Sequence, residues 1–271
     1  MTMLPLIQVD AFADRPFTGN PAAVMPLEEW LPDDVLQAIA QENNLSETAF
    51  TVPDESGEAD FELRWFTPGL EIALCGHATL ASGHVLMCAG ERRVRFRTRK
   101  AGILEVACDG DPGPGSLAGG YTMSLPAYPP APKPLPELVA GLGCTAVEAL
   151  WHESRYALIV LENEAAVRAL QPDFRVLAAD GPVMTIATAP GDATDVVSRV
   201  FVPGAGVDED PVTGSAHSVL IPYWAARLGR SDAMTFYQAS ARGGHLTGRL
   251  DGDRVVIGGK CVTVIEAVMT I

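Results

Sequence analysis

The chain has 271 residues, 48% of them hydrophobic and 20% charged, with a formal net charge of −15. That length exceeds a typical single core and suits two, and the charge disfavours nucleic acid and anionic membranes, which an acidic surface repels. No apolar run approaches the roughly 18–20 residues of a membrane span, and the opening MTMLPLIQVD lacks the basic region of a secretory signal, so a cytoplasmic protein is expected.

In chain order, LPLIQVDAF (4–12) reads as a strand, and FTGNPAAVM (17–25) as a turn followed by a second. Residues 31–44 open with Pro32 and two aspartates and carry Val35, Leu36 and Ile39 on one side, the pattern of a helix with an acidic start. ETAFTV (47–52) and FELRWF (61–66) are strand-like; in the second, Phe61, Leu63 and Trp65 alternate with polar or charged partners. LCGHATLASGHVL (74–86) joins a strand-like segment to an apolar helix. Arg93, Arg95, Arg97 and Arg99 then alternate with Val94, Phe96 and Thr98, which makes one face of a strand basic. The expected reading is a solvated face neutralised by nearby acids; the alternative is a patch for an anionic ligand.

GILEVACD follows as a strand, and residues 109–120 are nearly all turn formers. YTMSL is a short strand, and a proline-rich run at 126–137 places the domain boundary nearby. The expected halves are 1–115 and 116–260, with the last strand near 261–271 joining the first half. Beyond the boundary come helices near 134–142 and 163–170 and strands near 155–161, 183–188 and 196–202. The apolar helix over 214–229 contains Pro222, which predicts a kink or break. Four strands close the chain.

The five cysteines, Cys75, Cys88, Cys108, Cys144 and Cys261, are odd in number, widely spaced and without a CxxC pair, so neither a disulfide framework nor a zinc site is read here. The histidines show no ligand spacing. No metal and no cofactor are expected.

One pattern recurs. Glu71-Ile-Ala-Leu-Cys75-Gly76-His77-Ala78 matches Glu209-Asp-Pro-Val-Thr213-Gly214-Ser215-Ala216: both read E-x-x-x-(C/T)-G-x-A, and both enter an apolar helix. The chain is therefore read as two copies of one unit. A glycine before a helix lets backbone approach a ligand, and a helix start offers unpaired N–H groups and partial positive charge. Two such starts sharing a cleft would suit a carboxylate.

The stretches FTGNPAAV, NLSETAF, FTPGLEIALCGHATLA and GVDEDPVTGSAH resemble the PhzF family of phenazine biosynthesis-like isomerases, in family order over most of the chain. The resemblance implies an α+β fold of the diaminopimelate epimerase type: two pseudo-symmetric domains, each a curved mixed sheet wrapped around a central helix, here those after Gly76 and Gly214, with the active site between them. It also implies a homodimer. In the family's characterised isomerase a glutamate of the SET motif moves a proton along a cyclic diene acid, which maps to Glu47. His77 and Asp210 map to residues lining that site, Gly214 and Ser215 to the substrate carboxylate's holders, and Asn20 to a further pocket position; Gly76 is placed with the carboxylate-binding set.

A general base at Glu47 should be partly buried with a raised pKa. His77, at a helix start, is expected mostly neutral. Epimerases of this fold use one thiol on each domain; here Cys75 is matched by Thr213, whose hydroxyl is too weak an acid to serve as the second base. Single-carboxylate proton transfer on a small carboxylic acid, without a cofactor, is the resulting expectation. A racemase or epimerase of the same fold and a non-catalytic metabolite-binding protein are the alternatives. Cys75 as a nucleophile lacks a sequence-evident base, and His84 and His217 are read as packing residues. Glu71 and Glu209 are expected to brace the loops.

Overall fold

The computed structural model describes residues 1–87, 92–109 and 120–271. Cys88 and most of the turn-rich stretch at 109–120 lie outside the described residues. The chain forms two compact units: Met1–Ser124 together with Gly258–Ile271, and Leu125–Ile257. It passes from the first to the second within strand β8, later than the 115/116 boundary that composition suggested, and returns within β17.

The first unit contains β1 (Met3–Ala11), β2 (Asn20–Pro26), α1 (Asp33–Asn43), β3 (Glu47–Pro53), β4 (Phe61–Phe66), β5 (Glu71–Ile72), α2 (Gly76–Leu86), β6 (Arg93–Thr98), β7 (Ile103–Asp109) and β8 (Gly120–Pro126). The second contains β9 (Ala131–Pro132), α3 (Pro136–Leu142), β10 (Glu148–His152), β11 (Tyr156–Val160), α4 (Glu164–Arg168), α5 (Phe174–Ala178), β12 (Met184–Pro190), β13 (Val196–Val202), β14 (Val207–Asp210), α6 (His217–Leu228), β15 (Met234–Gln238), β16 (Gly244–Asp251) and β17 (Arg254–Gly259). The last strand, β18 (Cys261–Thr270), pairs antiparallel with β1 and so completes the first unit.

Both units repeat one pairing scheme. In the first, β1–β2 is antiparallel, β2–β3 parallel, β3–β4 and β4–β5 antiparallel, and β4–β6 parallel. In the second, β10–β11, β11–β12, β12–β13, β13–β14 and β13–β15 follow the same sequence of senses. The registers superpose residue by residue. Ala22 opposite Glu47, Thr48 opposite Phe66 and Trp65 opposite Ile72 correspond to Tyr156 opposite Met184, Thr185 opposite Phe201 and Val200 opposite Asp210. This is the mixed α+β architecture, a sheet around a helix, made twice.

Each central helix is apolar on all sides because it is enclosed. Gly76 through Gly83 of α2 are all buried, and the helix touches β1, β2, β3, β6, β7 and β18. Gly83 is there because β7 comes too close for anything larger: a Cβ would lie 2.5 Å from Val106 Cγ1. In α6, His217 through Ala225 are buried. Of the expected kink or break, the break does not occur: α6 runs unbroken through Pro222. Proline removes the donor that would satisfy the Ser218 carbonyl, and the backbone N–H of Tyr128 takes that carbonyl instead, at 2.7 Å.

The outer faces are covered by smaller helices. Leu36, Ile39 and Ala40 of α1 pack with Met25, Phe50 and Phe66. In the second unit α3, α4 and α5 supply Leu138, Leu142, Val167 and Leu177 to the equivalent core. Two arginines of the basic face pair with acids: Arg97 with Asp54 at 2.7 Å and Glu62 at 3.0 Å, and Arg99 with Glu71 at 3.5 Å.

Two arginines brace the repeated loops. Arg64 on β4, 2% exposed, grips Glu71 through two bonds of 2.8 Å and lies between Trp30 and Phe66. Arg199 on β13 grips Glu209 at 2.7 and 2.8 Å and lies over Phe201. Planar guanidinium on carboxylate is the strong, orienting form of ion pair, so Glu71 and Glu209 are loop anchors.

Candidate active site

In the first unit the parallel pairing of β3 with β2 puts Glu47 at the head of a strand, beside the first turn of α2. His77 is the second residue of that helix. Its Nε2 lies 2.9 Å from Glu47 Oε2, with the two side chains 5% and 14% exposed. Neither atom makes an aligned hydrogen bond, so the contact is an ion pair rather than a directed bond. The other ring nitrogen, Nδ1, is 3.2 Å from Asn20 Nδ2 and 3.5 Å from Cys75 Sγ. Ser46 Oγ donates to Asn20 Oδ1 at 3.1 Å. Asn20, Glu47 and His77 are thus brought together, and Gly76 adjoins them in sequence.

Burial alone pulls an imidazolium pKa down, but here the charges of Cys75, when ionised, and Glu47 outweigh it, and His77 sits well above the ordinary value of 6.5. Burial pushes the Cys75 thiol up, and Glu47 adds to that push. Negative charge on Cys75 or on Glu47 favours the imidazolium. The expectation of a neutral His77 weighed the helix start alone; the Glu47 side chain at 2.9 Å is closer and raises the His77 pKa.

Glu47, Cys75 and His77 each offer a donor atom, all within 4.8 Å of one another. They do not fit one metal ion as placed. Cys75 faces Nδ1 and Glu47 faces Nε2, and the lone pairs of those two nitrogens diverge around the ring, so no single ion meets all three without turning it.

In the second unit the same strand-to-helix junction is built from different chemistry. Asp210 ends β14, and Thr213 Oγ1 donates a short hydrogen bond to its Oδ2. Gln238 on β15, fully buried, accepts from Thr213 N at 2.8 Å and donates to Asp210 O at 2.7 Å and Thr213 Oγ1 at 3.1 Å. Gly214, Ser215 and Ala216 form a tight turn into α6, with i+3 bonds from His217, Ser218 and Val219. The N–H groups that open such a turn have no acceptor within it. The Tyr156 phenol reaches the Ser215 side chain. Asp210, Gly214 and Ser215 therefore lie on one short loop.

The histidines read as packing behave as such. His217 Nδ1 lies 3.0 Å from Thr213 O, its ring is edge-on to Phe236, and burial lowers its pKa to about 4. His84 is held between Tyr121 Oη and Thr263 Oγ1, both at 2.9 Å.

Register makes the division of labour explicit. Glu47 corresponds to Met184, Ile72 to Asp210 and Cys75 to Thr213. A carboxylate–imidazole pair stands in the first unit, and a carboxylate–hydroxyl–amide chain in the second. The phenazine biosynthesis-like family model matches residues 9–267. The chain belongs to the PhzF family. An uncharacterized isomerase of Pseudomonas aeruginosa is 48% identical over 261 residues, 95% of each chain. A PhzF-family crystal structure from Enterococcus faecalis is 44% identical, covers all of both chains and superposes with a TM-score of 0.90. A hydroxyproline epimerase from Agrobacterium vitis, 14% identical with 98% of this chain and 92% of that one covered, shares the fold at a TM-score of 0.62.

Sequence reasoning missed Ser46, Gln238 and Tyr156, and it missed Arg64 and Arg199. For the arginines a signal was present: Arg64-x-Phe66-x-Pro68 recurs as Arg199-x-Phe201-x-Pro203, ahead of each repeated octet. A depression lined by Gln171, Phe174, Arg175 and Asp208 among others holds none of the candidate residues.

Proposed function

We propose that this PhzF-family chain is a cofactor-independent isomerase that moves a proton within a small carboxylic acid. Glu47 takes the proton and returns it on the same face. His77 is its charged partner, and Asn20 orients His77. Asp210 hydrogen-bonds substrate, and Gly76, Gly214 and Ser215 hold the carboxylate with backbone N–H groups and a hydroxyl, as helix starts do. The supporting observation is the largely buried Glu47–His77 pair; Met184 stands at the place of Glu47 in the duplicated unit, so the duplication supplies one proton-transfer carboxylate at this register position and not two. The relatives' isomerase names agree with this reading.

The test is a panel of small carboxylic acids incubated with the protein and followed by NMR for rearranged product. At least one acid should be converted, with Ser215→Ala raising KM about tenfold, the worth of one hydrogen bond to a charged group. No conversion across amino, hydroxy and unsaturated acids would leave a binding protein as the reading.

We further propose a cytoplasmic homodimer. The four described cysteines are free thiols, as expected in a reducing compartment. Met3, Ile265, Val268 and Ile271 are exposed along the β1–β18 pair, an apolar edge suited to a second copy. Sedimentation at micromolar concentration should give twice the chain mass, and Val268→Glu should give a monomer.

A further inference from the structure

Gln238 is fully buried, and its side-chain amide is committed to one loop. Its orientation is dictated by its partners. With Oε1 toward Thr213 N and Nε2 toward Asp210 O and Thr213 Oγ1, every contact joins a donor to an acceptor. Flipped, the amide would set N–H against N–H and carbonyl against carbonyl.

That orientation fixes the next proton. Thr213 Oγ1 already accepts from Gln238 Nε2 at 3.1 Å, so its own hydrogen points to Asp210 Oδ2. The order amide to hydroxyl to carboxylate runs one way. At the matching positions of the first unit stand Thr98, Cys75 and Ile72, so the chain belongs to the second unit alone.

We propose that Gln238 and Thr213 are positioning residues that fix Asp210 as an ionised hydrogen-bond acceptor at the entrance to α6. The threonine at the place of a second thiol is thereby given a role: it is a directed donor rather than a failed base. A substrate group meeting Asp210 must then be a donor, such as a hydroxyl or an ammonium, and an acceptor there is rejected. The inference rests on the proposed site role of Asp210, and its test needs no substrate.

The carboxyl carbon of Asp210 is titrated by 13C NMR in the wild-type chain and in Thr213→Val, Thr213→Ser and Gln238→Met, with circular dichroism to verify folding. Thr213→Val should raise the Asp210 midpoint by about one pH unit, since the hydroxyl favours the charged form. Thr213→Ser, which keeps the donor, should restore it. Gln238→Met should raise it by less, because the hydroxyl survives but loses its direction. A midpoint unmoved in folded Thr213→Val and Gln238→Met overturns the proposal. Should Thr213→Val not fold, the wild-type Thr213 hydroxyl proton decides: a slowly exchanging signal coupled to Asp210 supports the chain, and its absence refutes it. Asp210→Asn assayed with a converted acid is the separate arm. If conversion there is unchanged while the titrations behave as stated, it is the site role of Asp210 that fails and not the chain.

Discussion

Glu47→Gln should lower the His77 midpoint, and the direction of the effect follows from the geometry. Opposite unit charges 2.9 Å apart attract by about 6 kcal/mol at an effective dielectric near 20. That attraction raises the His77 pKa. Burial, with His77 5% exposed, pulls an imidazolium the other way. In the wild-type chain the upward push prevails; without the carboxylate the Glu47 share of it is lost, and the midpoint falls. The stability consequence has a definite sign. A histidine whose folded pKa is raised contributes stability that is fully present below its unfolded value and lost as pH rises through the folded one. Wild-type stability should therefore fall between about pH 6.5 and the raised pKa of His77, at up to about 1.4 kcal/mol per pH unit. The slope should shrink over that window in Glu47→Gln. Imidazole 15N shifts give protonation directly, and urea unfolding at several pH values gives the slope. A wild-type His77 that is neutral at pH 7, or a variant in which its midpoint is unmoved, would refute the reasoning.

Three further outcomes follow from the packing. Glu71→Ala leaves the Arg64 guanidinium, 2% exposed, with Asp33 as its remaining close acid, and should cost about 3 kcal/mol in urea unfolding, the low end for breaking a buried pair. Gly83→Ala should cost about 1–3 kcal/mol through overpacking against Val106, against a propensity gain of about 1 kcal/mol; a more stable variant would show that β7 yields freely. His217 has a folded pKa of about 4, below its unfolded value, so its contribution is present above about pH 6.5 and lost as pH falls toward 4. His217→Gln should flatten the acid limb of the stability profile by up to about 3 kcal/mol, and an unchanged limb would contradict its buried neutral state.

Much of the architecture was legible because its signals are local. FELRWF alternates with the pleat and forms β4, and Pro32 with two aspartates starts α1. The repeated octets marked the two junctions because a duplicated unit keeps its glycine where backbone must turn into a helix. Other elements were hidden by conflicting signals. EALWH consists largely of good helix formers, yet it is β10 because β9 and β11 pair with it on either side. Pro222 reads as a helix breaker until Tyr128, far away in sequence, occupies the orphaned carbonyl. Within the candidate site, Asn20, Glu47 and His77 came from motif resemblance, and their mutual contacts could not: parallel pairing of β2 and β3 unites them across long sequence separations. Gln238 had no signal at all. A single glutamine in a strand carries meaning only once the loop it holds, 25 residues earlier, is beside it. The charge of His77 was misjudged because helix-start electrostatics can be read from local sequence and a carboxylate 30 residues away cannot.

The central claim, that one carboxylate in the first unit carries the proton, is tested most directly by solvent isotope. With an acid that the protein converts, turnover in deuterated water should place solvent deuterium in product with the wild-type chain. The rate should drop by about 10²–10⁴ in Glu47→Gln, the usual worth of a positioned acid–base group. Equal label uptake by the folded variant would contradict the account.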